Sequence, residues 1–291
     1  MIPKRVAGLV LVVALGAFTA LALGTARAKS ATFDEVKHVP AGYMFLRAGD
    51  YRLDLDNPPL ARMIAALPLL VTPVRVDTED PAWRESRPWW FGHRFLYEWN
   101  DADALLVRSR GAITVVAIGL ILAIFFWSRT LFGPAAAALA SVLAAFSPDL
   151  VAHGSLATTD LVLATFFFLT VLACERLFVR ATPGKVAATG IALGAALASK
   201  YSAAALLPIL AALALVEILA DRPIPFAWGA RRPPVFTAAT RAQRARLAAA
   251  LLGGVLLVAG ATLWGVYRFR DAPTPPGAVV RPLAWEPGDL H

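Results

Sequence analysis

A chain of 291 residues that is 58% hydrophobic, only 16% charged and positive in mean hydropathy is too apolar for an ordinary water-soluble protein. Its formal net charge of +8 would point to nucleic acid in a soluble protein. Here the arginines gather in short segments between apolar runs, as topology signals do, and nucleic-acid binding is set aside.

In chain order, residues 6–26 carry no charge and follow Lys4-Arg5, and the run is long enough to cross a hydrocarbon core of about 30 Å. A cleavable signal peptide is the alternative, since Ala26-Arg27-Ala28 has a small-x-small look, but the apolar run exceeds the usual signal core. Either way residue 30 onward is expected outside. Further apolar runs occupy residues 111–127, 131–146, 161–179, 186–199, 201–220 and 247–266. The fold class expected is therefore an all-α polytopic membrane protein with about seven transmembrane helices. Its only cysteine, Cys174, lies inside one of these runs, which excludes an intramolecular disulfide or a cysteine metal cluster.

With the amino terminus inside, the cytoplasmic connections become residues 128–130, 180–185 and 221–246. The last holds six arginines against one acid, Asp221, in keeping with the positive-inside rule. Residues 25–108 hold eleven Lys/Arg and twelve Asp/Glu and are nearly neutral, as an outer segment can be. The run 186–199, at 14 residues, reaches only about 21 Å as a helix. It falls short of the core, so Lys200 is expected below the outer membrane surface.

The first outer loop, 27–108, is too long for a simple connector. Thr32-Phe-Asp-Glu35 has the form of a capping box, so a short helix is expected to start there and end by Pro40, which gives Glu35 a structural role as cap partner. Asp34 lacks that explanation, although it suits the helix N-terminal dipole. The segment 58–70 is apolar except for Arg62 and too short to span, so it reads as an interfacial or re-entrant helix. Trp83, Trp89, Trp90 and Trp99 put half of the eight tryptophans into a stretch of seventeen residues, as expected of membrane-surface anchors, with sugar stacking as the sharper reading. His38, His93 and His153 show no metal-ligand spacing, and no metal site is expected on histidines.

Thr32-Phe-Asp-Glu35 after a first span, Gly49-Asp-Tyr-Arg52, Asn57-Pro-Pro-Leu60, the loop Ser147-Pro…His153-Gly…Thr158-Thr-Asp160, and Ser199-Lys-Tyr-Ser202 occur in that order. Together they resemble the dolichyl-phosphate-mannose protein mannosyltransferase-like proteins of glycosyltransferase family 39, which have the glycosyltransferase C membrane fold. The resemblance extends to about residue 270 and implies a transmembrane module over 1–270, followed by an outer proline-rich tail over 271–291. It implies transfer of mannose or a similar hexose from a polyprenyl-phosphate donor to a protein, glycan or lipid hydroxyl. The reaction would invert the anomeric carbon, at the extracytoplasmic face of the plasma (inner) membrane. Asp34 matches the family's general base, with Glu35 beside it as a second catalytic candidate. A carboxylate within hydrogen-bond reach can take the hydroxyl proton as the bond to C1 forms, while cations hold the leaving phosphate.

The cations expected there are Lys200, Arg108 and Arg62, with Tyr201 and His153 completing the substrate-binding set. Each has a plainer reading: a snorkelling lysine for Lys200, a helix-end anchor for Arg108, a solvated face for Arg62. Asp160 reads as a cap of the helix beginning at residue 161, as a second active-site acid, or as a ligand for a divalent cation, Mg or Mn. Asn57 stands where relatives acting on lipid A carry a basic residue, which points away from the aminoarabinose branch. Full family members continue into further spans, so the chain is expected to be an N-terminal portion or a shortened paralogue. Two other functions compete: a transporter or flippase-like protein, which would need ionisable residues near mid-span, and a non-catalytic scaffold. Glu175, Arg176 and Glu217 all fall near the cytoplasmic ends of their runs.

Overall fold

A computed structural model describes residues 2–270 together with 272, 274, 277 and 278. The tail prolines Pro273, Pro275, Pro276, Pro282 and Pro287 lie outside the described residues. Among the described residues the regular structure is helical except for one small hairpin, and the chain divides into two compact units, residues up to Val162 in one and Leu163–Phe269 in the other.

In the first unit, α1 (Lys4–Ala28) buries Ala7, Leu11, Ala14, Phe18, Ala22 and Ala26, a stripe at three- and four-residue spacing along one helix face. That stripe packs on α6 (Ala102–Ala145), while Leu9, Val12 and Val13 point outward. Asp101 starts α6 by accepting from the Ala104 N–H at 3.0 Å. Gly133, at φ 84° and ψ −176° and followed by Pro134, breaks α6 within its last third.

The two arms of α6 fold back on each other. Along an unbroken helix Thr114 and Ala145 would stand about 47 Å apart. Nine further residues, even fully extended, return only about 31 Å. Yet Thr114 Oγ1 donates to the Gly154 carbonyl at 2.8 Å, in α7 (Pro148–Gly154), so the chain must reverse at Gly133.

Between α1 and α6 the loop builds its own layer. It comprises α2 (Phe33–Ala48), α3 (Leu60–Ala66) continued by a 3₁₀ turn at Leu67–Val71, α4 (Pro81–Arg84) and α5 (Pro88–His93). The helix expected to stop at Pro40 instead runs through it to a left-handed cap at Gly49, φ 65°. Pro40 has no N–H for the Val36 carbonyl, and that carbonyl faces Gly92 of α5, where a Cβ would lie only 1.9 Å away. Glycine at 92 thus lets α5 close on the gap that the proline opens in α2.

α8 (Asp160–Val179) begins at the end of the first unit. The second unit then holds α9 (Pro183–Leu197), a 3₁₀ turn at Tyr201–Ala205, α10 (Leu206–Leu219), the antiparallel pair β1 (Ile224–Phe226) and β2 (Phe236–Ala238), and α11 (Arg241–Val266). α9 and α11 pack backbone to backbone. A Cβ at Gly190 would lie 2.8 Å from the Val255 carbonyl and one at Gly194 2.6 Å from that of Ala259, so this i, i+4 glycine pair sets the approach. Arg244, buried near the start of α11, donates to the carbonyls of Ala239 (2.6 Å) and Ile218 (3.2 Å), tying α11 to the end of α10.

Five helices among the described residues are long and apolar enough to cross a membrane: Lys4–Ala28, Ala102–Ala145, Asp160–Val179, Tyr201–Leu219 and Arg241–Val266. The seven apolar runs expected from the sequence fall on these five helices and α9. The runs 111–127 and 131–146 share α6, joined at the Gly133 break. The run 186–199 falls on α9, whose 15 residues give about 22 Å.

Candidate functional site

The first turn of α2 carries two carboxylates with opposite fates. Glu35 is buried, and both of its oxygens meet Arg110 of α6, Nε to Oε1 and Nη2 to Oε2, each at 2.7 Å. Oε1 also accepts the Ala157 N–H at 2.9 Å, and Oε2 accepts the Thr32 N–H and hydroxyl, both at 2.9 Å. The bond from the Thr32 N–H is the carboxylate half of the capping box foreseen from the sequence.

Arg110 spends its remaining N–H groups on the carbonyls of Ala26 and Lys29 (2.7 Å each) and Ser30 (2.8 Å), which occupies all five donors of the guanidinium. One buried bidentate pair therefore joins the end of α1, the start of α2, α6 and the residues leading into α8. Burial pushes the Glu35 carboxyl up, but the hydrogen bonds from Arg110, Ala157 and Thr32 and the charge of Arg110 outweigh it. The net pKa lies below the usual 4.5.

Asp34, one residue earlier, is exposed and makes no hydrogen bond or ion pair among the described residues. Beside it Phe33 stacks on Trp89 with centroids 5.2 Å apart, and Lys37 Nζ lies 4.9 Å over the same ring. The side chain of Asp34 is thus the carboxylate of this turn left open to a hydroxyl.

Beneath α2 a second polar cluster is closed on itself. Asp54 and Arg62 form a fully buried ion pair, with Lys37 Nζ at 3.4 Å and His38 Nε2 at 3.6 Å from the same carboxylate. Lys37 also binds Asp56 at 2.6 Å, and Arg62 donates to the carbonyls of Asp54 (3.2 Å) and Asn57. The solvated-face reading of Arg62 is corrected by its burial: the arginine turns inward to the Asp54 carboxylate and the carbonyls of Asp54 and Asn57. Of the four tryptophans Trp83 is buried, and Trp89, Trp90 and Trp99 are half-buried. Trp83 packs on Phe91 (5.3 Å) and under the Arg52 guanidinium (4.5 Å), and Trp99 meets Phe91 edge-on (5.5 Å).

The other sequence candidates lie on several elements. Arg108 is exposed on α6 and donates to the Ala104 carbonyl at 2.8 Å. His153 Nδ1 stands 4.0 Å from Asp160 Oδ2, both side chains half exposed, and Asp160 is the first residue of α8. Among the described residues no group of three or more His, Cys, Asp or Glu is arranged to hold a metal ion, and His153 with Asp160 offers only two donors. In the second unit, extended Lys200 precedes the 3₁₀ turn that begins at exposed Tyr201, with its N–H on the Ala196 carbonyl at 3.3 Å.

Sequence reasoning selected Arg108 and passed over Arg110, two residues on and about 200° around the helix. The available signal was that Arg110 is the deeper cation at the edge of a long apolar run. It likewise assigned no partners to Asp54 or Asp56.

These elements define a multi-pass helical membrane protein with an ordered polar loop in which the Asp34 carboxylate is open. Residues 107–230 match the family model of dolichyl-phosphate-mannose-protein mannosyltransferase. That stretch contains Arg108, Arg110, His153, Asp160, Lys200 and Tyr201, whereas Asp34, Glu35 and Arg62 precede it. Searches of curated proteins and of solved structures return no match.

Proposed function

We propose that the chain is a membrane glycosyltransferase that moves mannose or a similar hexose from a polyprenyl-phosphate carrier to a hydroxyl of a protein, glycan or lipid acceptor, on the extracytoplasmic side and with inversion. The family match over 107–230 supports the reaction class. The single observation that carries the reading is the contrast at α2: Glu35 is consumed by Arg110, while Asp34 stays open and unpartnered among the described residues.

In this reading the Asp34 carboxylate accepts the acceptor's hydroxyl proton as its oxygen bonds to C1. The C1–O bond to the carrier breaks, and the lipid phosphate leaves with the electron pair. Cations stabilise that growing charge, and Arg108 is the residue of the first unit assigned to it. Arg62 is occupied by Asp54, so its part is to hold the loop. No step is routed through a metal ion.

The test uses the full chain in membranes supplied with radiolabelled polyprenyl-phosphate mannose. Asp34→Asn is expected to lower transfer by about 10²-fold or more at unchanged abundance. Undiminished turnover in that variant overturns the assignment of Asp34.

A further inference from the structure

The second unit carries a groove that the sugar-transfer reading does not use. It lies between α8 and α9, has a volume of about 550 Å³, and is floored by Phe166, Leu169 and Leu172 on one side and Ala188 and Ile191 on the other, with Arg176 and Lys185 at one end. From Arg176 back to Phe166 the floor is ten residues of helix, or about 15 Å, half of a hydrocarbon core of about 30 Å. A slot of that depth serves one leaflet.

The charged end has the character of a headgroup site. Arg176, Arg180 and Lys185 crowd together there, with Glu175 as the nearby acid. Lys185 Nζ donates to the carbonyls of Arg176 (2.6 Å) and Arg180 (2.9 Å), so it is held at the end of the groove, while the Arg176 side chain is exposed. Arg180 in turn donates to the Arg232 carbonyl. The result is a net positive cluster at the mouth of an apolar channel, where a basic recess between membrane helices recognises acidic lipid.

We infer that the α8–α9 groove is a binding site for an anionic phospholipid, its phosphate on Arg176 and Lys185 and an acyl chain along Phe166, Leu169 and Ile191. The argument for this occupant is complementarity at both ends: cations for the phosphate, and an apolar floor one leaflet deep for the chain. A second copy of the protein or another hydrophobic helix would match the floor but leave the cations unanswered.

The experiment uses the full chain in phosphatidylcholine nanodiscs with and without phosphatidylglycerol, and a phosphatidylglycerol bearing a diazirine on its acyl chain. Photolysis of the unaltered protein is expected to label peptides covering 166–176 and 185–192, and phosphatidylglycerol is expected to be enriched around it over phosphatidylcholine. Arg176→Gln should weaken that enrichment about five-fold, and Arg176→Gln with Lys185→Gln about thirty-fold. Equal retention of the two lipids, labelling confined to other helices, or a crosslinked dimer across α8 and α9 in place of lipid would each overturn the assignment. Because the labelling arm needs no substitution, it decides the matter even if the double variant fails to fold.

Discussion

At the scale of residues, the first turn of α2 separates a structural carboxylate from an available one. Removing one member of the Glu35–Arg110 pair leaves the other charge buried, so Arg110→Ala is expected to destabilise the first unit by about 3–5 kcal/mol. Arg110→Met combined with Glu35→Leu should cost less than Arg110→Ala alone, read as the unfolding midpoint in detergent. The pair also sets a pH dependence. Because the folded-state pKa of Glu35 is lowered, its contribution is complete above the unfolded value near 4.5 and is lost as pH falls through the folded value. Glu35→Gln should flatten that acid-side loss of thermal stability, and an unchanged acid profile would contradict the sign. Thr32-x-x-Glu35 made the cap legible in the sequence, since capping is a local rule. The pairing of position 110 with Glu35 was not legible: depth at the edge of the apolar run marks Arg110 as the more inward arginine, but 75 residues of chain separate it from Glu35 and no local pattern joins the two.

Among elements, apolar length located every long helix, but it did not report where helices join. The hairpin within α6 reads in sequence as a charged gap near residues 128–130, whereas the reversal is at Gly133-Pro134, where the backbone needs a positive φ. The persistence of α2 through Pro40 was hidden for a related reason: a proline ends a helix unless the carbonyl it strands is accommodated, and only the tertiary arrangement brings Gly92 to it. The α9–α11 contact can be tested directly. Gly194→Val would drive a branched side chain into the Ala259 carbonyl and Thr262, costing about 1–3 kcal/mol or forcing the helices apart. The check is thermal unfolding in detergent, and a variant as stable as the parent would show that α9 and α11 do not pack this closely.

For the whole molecule, the question is on which side of the membrane the polar loop lies. The arginine-rich connection containing β1 and β2 and the nearly neutral first loop predict opposite sides. In a Cys174→Ser background, Asp34→Cys should react with an impermeant maleimide added outside, and Ala230→Cys only after the membrane is opened. The reverse pattern would put Asp34 beyond the reach of an extracytoplasmic acceptor. Composition made the membrane class legible because burial in lipid imposes it on the chain at large, whereas the closed cluster of Lys37, Asp54, Asp56 and Arg62 depended on loop packing that hydropathy does not encode.

The order of the two acids also carries a length requirement. Position 35 has to reach Arg110, Ala157 and Thr32 at once, and aspartate there would be one methylene too short to touch all three. Exchanging the neighbours, Asp34→Glu with Asp taking the place of Glu35, keeps composition and charge yet unfastens the loop. The dipeptide works as an ordered ruler in which the longer member anchors and the shorter one is presented.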